Sequence, residues 1–144
     1  MIKIAVLKER APGEQRVALI PEAAARLNKL GAELWLEEDS RYADAGAKLC
    51  QGASSALEGA ALAIRVQKPS PADIELLPEG STLISLFYAA GDTALLEALK
   101  QRRITALALE RVPRISRAQS MDILSSQATV AGYKAVLLGA SALT

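Results

Sequence analysis

The opening of the chain decides the fold: it is Lys3-Ile4-Ala5-Val6-Leu7, followed by a polar segment from Lys8 to Arg16 and by Pro21-Glu22. The short apolar run, which contains β-branched residues, predicts a strand. Proline suits the first turn of a helix, and Gly31 suits its left-handed end. The opening therefore predicts a strand, a loop and a helix in that order.

Strand-like runs recur along the next hundred residues. They are Lys3–Leu7, Glu33–Glu37, Ala61–Val66, Thr82–Phe87 and Ile104–Leu109. The segment from Asp39 to Gly59 predicts only short helical pieces, and Asp92 or Thr93 is expected to cap a further helix. Because parallel neighbours need crossover connections, this rhythm predicts an α/β fold, flavodoxin-like or Rossmann-like, with helices on both faces of a parallel sheet over residues 3–118.

One long helix is predicted from about residue 120 to residue 144. Leu124, Ala128, Ala131, Ala135 and Leu138 form one apolar row, while other apolar residues lie on other sides. A helix that is apolar on several sides needs several neighbours, and no stop signal follows it. We therefore expect a lobe over residues 1–118 and a helix over 119–144 that leads into another domain.

Composition excludes several kinds of chemistry. Cys50 is the single cysteine, the chain has no histidine, and the formal net charge is +1. Disulfide frameworks, Cys/His zinc sites and Ser-His-Asp triads are thereby excluded, no metal is expected, and a dedicated nucleic-acid binder is disfavoured. The apolar stretch Ala135–Leu143 is too short to span a membrane, so a cytosolic chain without direct membrane insertion is expected.

The loop after the first strand contains one candidate binding residue. In open α/β sheets ligands bind at the carboxyl ends of strands, and Arg16 offers a guanidinium that can grip a carboxylate or a phosphate. The alternative is that Arg16 pairs with Glu14, Glu22 or a backbone carbonyl and fixes the loop. Spacing alone leaves both interpretations open.

A second candidate region precedes the long helix. Between residues 100 and 117 six basic residues accompany Glu110 as the only acid, so positive charge is concentrated there. Gln119, Asp122 and Ser125 follow at helical spacing and can present an amide, a carboxylate and a hydroxyl to one ligand, such as a carboxamide. The alternative is an N-terminal cap, in which Ser120 or Asp122 binds free backbone amides and the arginines are solvated.

These regions resemble a known family. The segment from Arg114 to Val136, which includes Arg114-Ile-Ser-Arg117-Ala-Gln119-Ser-Met-Asp122-Ile-Leu-Ser125, is similar to the signature of the NAD(H)-binding component of proton-translocating NAD(P) transhydrogenase. Lys8-Glu9 and the segment Gly13–Pro21 resemble the opening of the same family, which alanine dehydrogenase shares. The similarity spans essentially the whole chain.

The resemblance implies a function and a site. It implies Re/Si-specific hydride transfer between NAD(H) and NADP(H), coupled to proton translocation in the full complex. Arg114, Gln119 and Asp122 are the implied catalytic residues, and with Ser125 they are the implied NAD(H)-binding residues. Their role is positioning, because hydride passes directly between two nicotinamides.

The resemblance also implies partners and a location. The expected partners are the remainder of the subunit with its NAD-binding domain, an NADP(H)-binding subunit, membrane subunits and a second copy of the chain. The expected location is the cytoplasmic face of the inner membrane, with the chain peripheral to it.

Two departures from the wider family shape these expectations. Alanine dehydrogenases use a lysine and a histidine where this chain is expected to place Gln67 and Tyr88, so oxidation of alanine is disfavoured. The sequence also contains no G-x-G, the glycine fingerprint that holds a dinucleotide. The 144-residue chain is therefore expected to be inactive alone. An alanine-dehydrogenase-like lobe and a non-catalytic binding module are the alternatives.

Overall fold

The computed structural model describes residues 1–37 and 42–143. Six parallel strands form one sheet in the order β3-β2-β1-β4-β5-β6. The strands are β1 (Ile2–Val6), β2 (Ala32–Glu37), β3 (Lys48–Cys50), β4 (Leu62–Ile64), β5 (Thr82–Ser85) and β6 (Thr105–Ala108). The helices are α1 (Pro21–Lys29), α2 (Ala53–Leu57), α3 (Pro71–Leu76), α4 (Thr93–Gln101) and α5 (Ile123–Ala142).

The α/β fold class is confirmed, and the strand order is the Rossmann-like one. The order reverses between β1 and β4, which places the topological switch point at the carboxyl ends of these two strands. All five expected strands are present. Three of them, the strands β4, β5 and β6, are shorter than their sequence runs, because apolar residues such as Leu86 and Phe87 continue into buried loops beyond the ladder.

The sequence analysis missed the strand β3. It expected short helical pieces between Asp39 and Gly59, and of that stretch residues 39–41 lie outside the described residues. Lys48–Cys50 is a three-residue edge strand that pairs only with β2, so it is too short to show alternation. The expected helical pieces are represented by α2.

Two apolar cores lie on opposite faces of the sheet. Because side chains alternate along a strand, Ile4 and Val6 of β1 join the core under α1, whereas Ala5 joins the core under α2, α3 and α4. The second core is the larger and includes Leu57, Ile74, Leu83, Leu95 and Leu99. The first contains Ala24, Leu34, Leu36 and Tyr42.

Side-chain caps fix the helices that position the loops. Asp92 accepts a hydrogen bond from the backbone N–H of Leu95 at 3.0 Å, which confirms the expected cap of α4. Ser70 and Asp73 form a reciprocal capping box at the start of α3. These caps hold the segments that follow β4 and β5, where the chain leaves the sheet.

The chain divides into two compact units, Met1–Ala108 and Leu109–Thr144. The second unit contains 3-10 turns at Leu109–Arg111 and Ser116–Met121, followed by α5. The expected long helix is present, although it begins at Ile123 rather than near residue 120, and residue 144 lies outside the described residues. Within the described part of the chain, no helix is long and apolar enough to cross a membrane.

Candidate functional site

In the second unit a cavity brings together the residues singled out before the long helix. It has a volume of about 270 Å³ and is lined by Arg114, Ile115, Ser116, Gln119, Asp122 and Ser125. Gln119 lies in the 3-10 turn, Asp122 precedes α5, and Ser125 lies in its first turn. The change from a 3-10 turn to an α-helix therefore presents all four candidate side chains to one space.

Asp122 is the N-cap of α5. One carboxylate oxygen accepts from the backbone N–H of Ser125 at 3.0 Å, and the other accepts from the Ser125 hydroxyl at 2.6 Å. The Ser125 hydrogen bonds, with a smaller contribution from the charge of Arg114, lower the pKa of Asp122. The carboxylate is ionised at neutral pH, so it is an acceptor that organises the helix start and not a proton donor. The capping alternative is thus realised at Asp122.

Arg114 and Gln119 differ from Asp122 in having open hydrogen-bonding capacity. Neither side chain forms a hydrogen bond or ion pair with another residue in the described ranges, and both residues are exposed. A primary amide can donate and accept at once, and a guanidinium offers several donors in a plane. The cavity thus presents two polar groups that a ligand can engage without breaking an internal contact.

A separate polar cluster lies in the first unit, after β1. Glu14 accepts from Arg16 Nε at 2.9 Å and from Arg16 Nη2 at 2.6 Å, and the Gln67 side-chain amide donates to the same carboxylate. The Arg16 hydrogen bonds are the largest cause of a fall in the Glu14 pKa from 4.5 to about 2. Of the two interpretations of Arg16, the structure shows pairing with Glu14.

Glu9 and Arg65 are organising residues that the sequence analysis missed. The Glu9 carboxylate accepts from the backbone N–H groups of Val66 and Gln67, the latter at 3.1 Å. Arg65 is buried and pairs with Asp73 at 3.0 Å. The Glu9 contacts join the loops after β1 and β4 across the switch point, and the Arg65 pair ties the end of β4 to α3. Only the knowledge that β1 and β4 are neighbours reveals them, since Glu9 and Gln67 are distant in sequence.

Tyr88 follows β5 near this cluster. Its backbone φ is +42°, which is strained for an aromatic residue. Gln67 and Tyr88 are the residues expected in place of the lysine and histidine of alanine dehydrogenases. Gln67 contacts Glu14, the ion-pair partner of Arg16, and neither Gln67 nor Tyr88 supplies an amine or an imidazole.

Glu14→Gln is expected to change how stability depends on pH. Because the pKa of Glu14 is about 2 in the folded chain and 4.5 is its ordinary value, its ion pair stabilises the fold above about pH 4.5. That contribution is lost as the pH falls toward 2. Urea unfolding at several pH values is expected to show that the wild type is more stable than Glu14→Gln above about pH 4.5, and that this difference in stability disappears as the pH falls toward 2.

Arg16→Gln is the matched control for this measurement. It removes the Arg16 partner of the same ion pair, so it is expected to weaken the dependence of stability on pH over the same pH range. The double variant is expected to add nothing further. Parallel profiles for wild type and Glu14→Gln between about pH 4.5 and pH 2 would contradict the assignment.

The fold and the polar groups together indicate the class of proteins to which the chain belongs. The chain is a Rossmann-like α/β domain with a polar cluster at its switch point, accompanied by a second unit whose cavity precedes a long helix. The model of the family "Alanine dehydrogenase/PNT, N-terminal domain" matches residues 5–131. The chain therefore belongs to this family.

Similar proteins fall on both branches of the family. The chain is 41% identical to "NAD(P) transhydrogenase subunit alpha" of Cereibacter sphaeroides, over 94% of the chain and 28% of the relative. It is 30% identical to alanine dehydrogenase of Methanococcus maripaludis, over 97% of the chain and 39% of that relative. The crystal structure of transhydrogenase from Sinorhizobium meliloti superposes with a TM-score of 0.87 at 34% identity, covering 93% of the chain and 42% of that protein. The chain thus spans less than half the length of these relatives.

Proposed function

We propose that the chain acts as the N-terminal part of an NAD(P) transhydrogenase alpha-type subunit, which transfers hydride between NAD(H) and NADP(H) with Re/Si specificity. In the complete complex this transfer is coupled to proton translocation. The observation that carries the proposal is the common cavity of Arg114, Gln119, Asp122 and Ser125. The chain is more similar in sequence to a transhydrogenase subunit than to an alanine dehydrogenase, and this difference supports the transhydrogenase proposal.

The residues of the cavity fit a nicotinamide. The carboxamide of the ring presents one acceptor and two donors, and the Gln119 amide complements both kinds of group. Arg114 adds donors for an oxygen of the ligand, and the ionised Asp122 holds Ser125 in place. When bound, NAD(H) supplies or takes the hydride at the nicotinamide ring. Positioning by these side chains is the contribution of this chain, and Arg114, Gln119 and Asp122 are the proposed catalytic residues.

The proposed assembly follows from the same assignment. Residues 119–144 lead to an NAD-binding domain of the same subunit, which holds the adenosine and pyrophosphate. An NADP(H)-binding subunit and membrane subunits complete the complex, two copies of the chain associate, and the assembly lies peripherally at the cytoplasmic face of the inner membrane.

Alanine oxidation is the second candidate function, supported by the alanine dehydrogenase relative. Gln67 and Tyr88 argue against it, because Gln67 donates to Glu14 and neither residue provides the amine or imidazole expected for a 2-oxo acid. A non-catalytic binding module is the third candidate, and it requires no nucleotide.

A single reconstitution separates these candidates. A complete subunit that carries this sequence as its N-terminal part is combined with its NADP(H)-binding and membrane partners. NADH oxidation coupled to NADP⁺ reduction is expected, without NADH formation from alanine and NAD⁺. Alanine-dependent NADH formation would select the second candidate, and the absence of any nucleotide turnover would select the third.

A further inference from the structure

Ser116 brings a hydroxyl to the cavity of the second unit, which it lines together with Arg114, Gln119, Asp122 and Ser125. The residue is exposed, and its hydroxyl forms no hydrogen bond with any residue that the structure describes. Ser125 differs, since its hydroxyl donates to Asp122 at 2.6 Å. The donor and both acceptor positions of the Ser116 hydroxyl are therefore available to a ligand.

The 3-10 turn Ser116–Met121 determines where this hydroxyl lies. In a 3-10 helix, side chains three residues apart lie one above the other, so Ser116 and Gln119 share one face of the turn. Both residues line the cavity, in agreement with that geometry, whereas Ser120 of the same turn lies on a different face and does not line it. One turn rises about 6 Å, at about 2 Å per residue. The cavity thus has two polar groups about 6 Å apart along the axis of the turn.

This separation suits a nicotinamide ring with its ribose. In the site proposed above, Gln119 binds the carboxamide. The carboxamide and the ribose are attached to different atoms of the ring, so the ribose hydroxyls lie across the width of the ring from the carboxamide. A ribose hydroxyl both donates and accepts hydrogen bonds, as the serine hydroxyl does, whereas Arg114 can only donate. Ser116 is therefore the group whose place in the turn and hydrogen-bonding type fit the ribose.

We propose that Ser116 forms a hydrogen bond with a hydroxyl of the ribose that carries the nicotinamide ring. The contact rests on the NAD(H) site proposed above, and it adds a second ligand group that this chain recognises. A contact at the carboxamide alone would leave the ring free to swing about that point. A second contact one helical turn away removes this freedom, so Ser116 binds the ribose and thereby orients the ring.

Calorimetric titration of NADH into the complete subunit that carries this sequence tests the contact. Ser116→Ala is expected to weaken NADH binding by about 3- to 10-fold, which corresponds to the loss of one neutral hydrogen bond. Ser116→Thr keeps a hydroxyl and is expected to restore the affinity. Ser120→Ala is the matched control, because the Ser120 side chain is also exposed and without a hydrogen bond to the described residues but lies outside the cavity. It is expected to leave the affinity unchanged.

NADH analogues give a sharper test. Two analogues are titrated, in which the nicotinamide ribose lacks either its 2′ or its 3′ hydroxyl. With the analogue that lacks the partner of Ser116, the wild type and Ser116→Ala are expected to bind equally well. A Ser116→Ala subunit that binds NADH as tightly as the wild type would overturn the inference, as would a loss of affinity that persists with both analogues. A subunit that shows the expected Ser116 dependence but transfers no hydride to NADP⁺ would retain this contact and contradict the proposed function.

Discussion

Replacing Gln119 with alanine in a complete transhydrogenase that carries this sequence is expected to lower the rate of hydride transfer by up to about 100-fold, because about 1 Å of misplacement can have that effect. Gln119 is exposed in the cavity of the second unit, and its side chain forms no hydrogen bond or ion pair with another described residue. Its loss should leave stability nearly unchanged. Steady-state NADH-to-NADP⁺ transfer measures the first quantity, and the urea midpoint measures the second.

Arg114→Ala is expected to behave in the same way. Asp122→Ala combines lost positioning with a lost helix cap, so it is expected to lower both turnover and stability. Asp122→Ser restores a capping hydroxyl without the charge, so it is expected to recover stability but not turnover.

Neighbouring serines provide the matched control. Ser125 donates its hydroxyl to Asp122 at 2.6 Å, whereas Ser126 donates to the backbone carbonyl of Ile123 at 3.0 Å. Ser125→Ala is expected to slow transfer and Ser126→Ala to leave it unchanged. If Gln119→Ala and Arg114→Ala lost activity only in proportion to lost folded protein, the proposed positioning role would be refuted.

The 144-residue chain alone is expected to bind NADH no more tightly than about 1 mM. A pyrophosphate needs a glycine loop at a helix N-terminus. Here α1 begins after Ile20 without a side-chain cap, and the sequence has no G-x-G. The few contacts available in the cavity, each worth about 0.5–1.5 kcal/mol, do not offset an association cost of several kcal/mol.

Isothermal titration calorimetry with NADH measures this affinity, and the complete subunit under the same conditions is the positive control. The chain is also expected to give no measurable NADH-to-NADP⁺ transfer. A micromolar dissociation constant for the 144-residue chain would show that the principal nucleotide contacts lie within it and would contradict this prediction.

Strong local patterns allowed most of the fold to be predicted. The run Lys3–Leu7 and the cap at Asp92 indicate their elements directly, because apolar alternation and capping chemistry are encoded within a few residues. β3 is a short edge strand whose pattern is too brief to detect, and it forms because β2 provides its partner, whereas α3 carries a local signal, the capping box of Ser70 and Asp73, that the sequence analysis did not use. Of these two elements, only β3 depended on tertiary context alone.

The cavity before α5 and the polar cluster after β1 differ in how much of each could be predicted from the sequence. The spacing of Gln119, Asp122 and Ser125 was enough to group these residues, although they belong to two kinds of helix and not to one. The contacts of Glu9 with the loop after β4 join residues more than fifty positions apart. Such contacts depend on strand order, which local spacing does not reveal.

The cap at Asp122 makes the cavity and the start of α5 a single cooperative element. The same carboxylate holds the Ser125 amide and the Ser125 hydroxyl, so fraying of the first turn dismantles the polar wall of the cavity in one event. Heat or denaturant that loosens this turn is therefore expected to disrupt the cavity without unfolding of the sheet in the first unit. The temperature at which the cavity loses its geometry is therefore expected to follow the local melting of one helical turn and not the global unfolding of the chain.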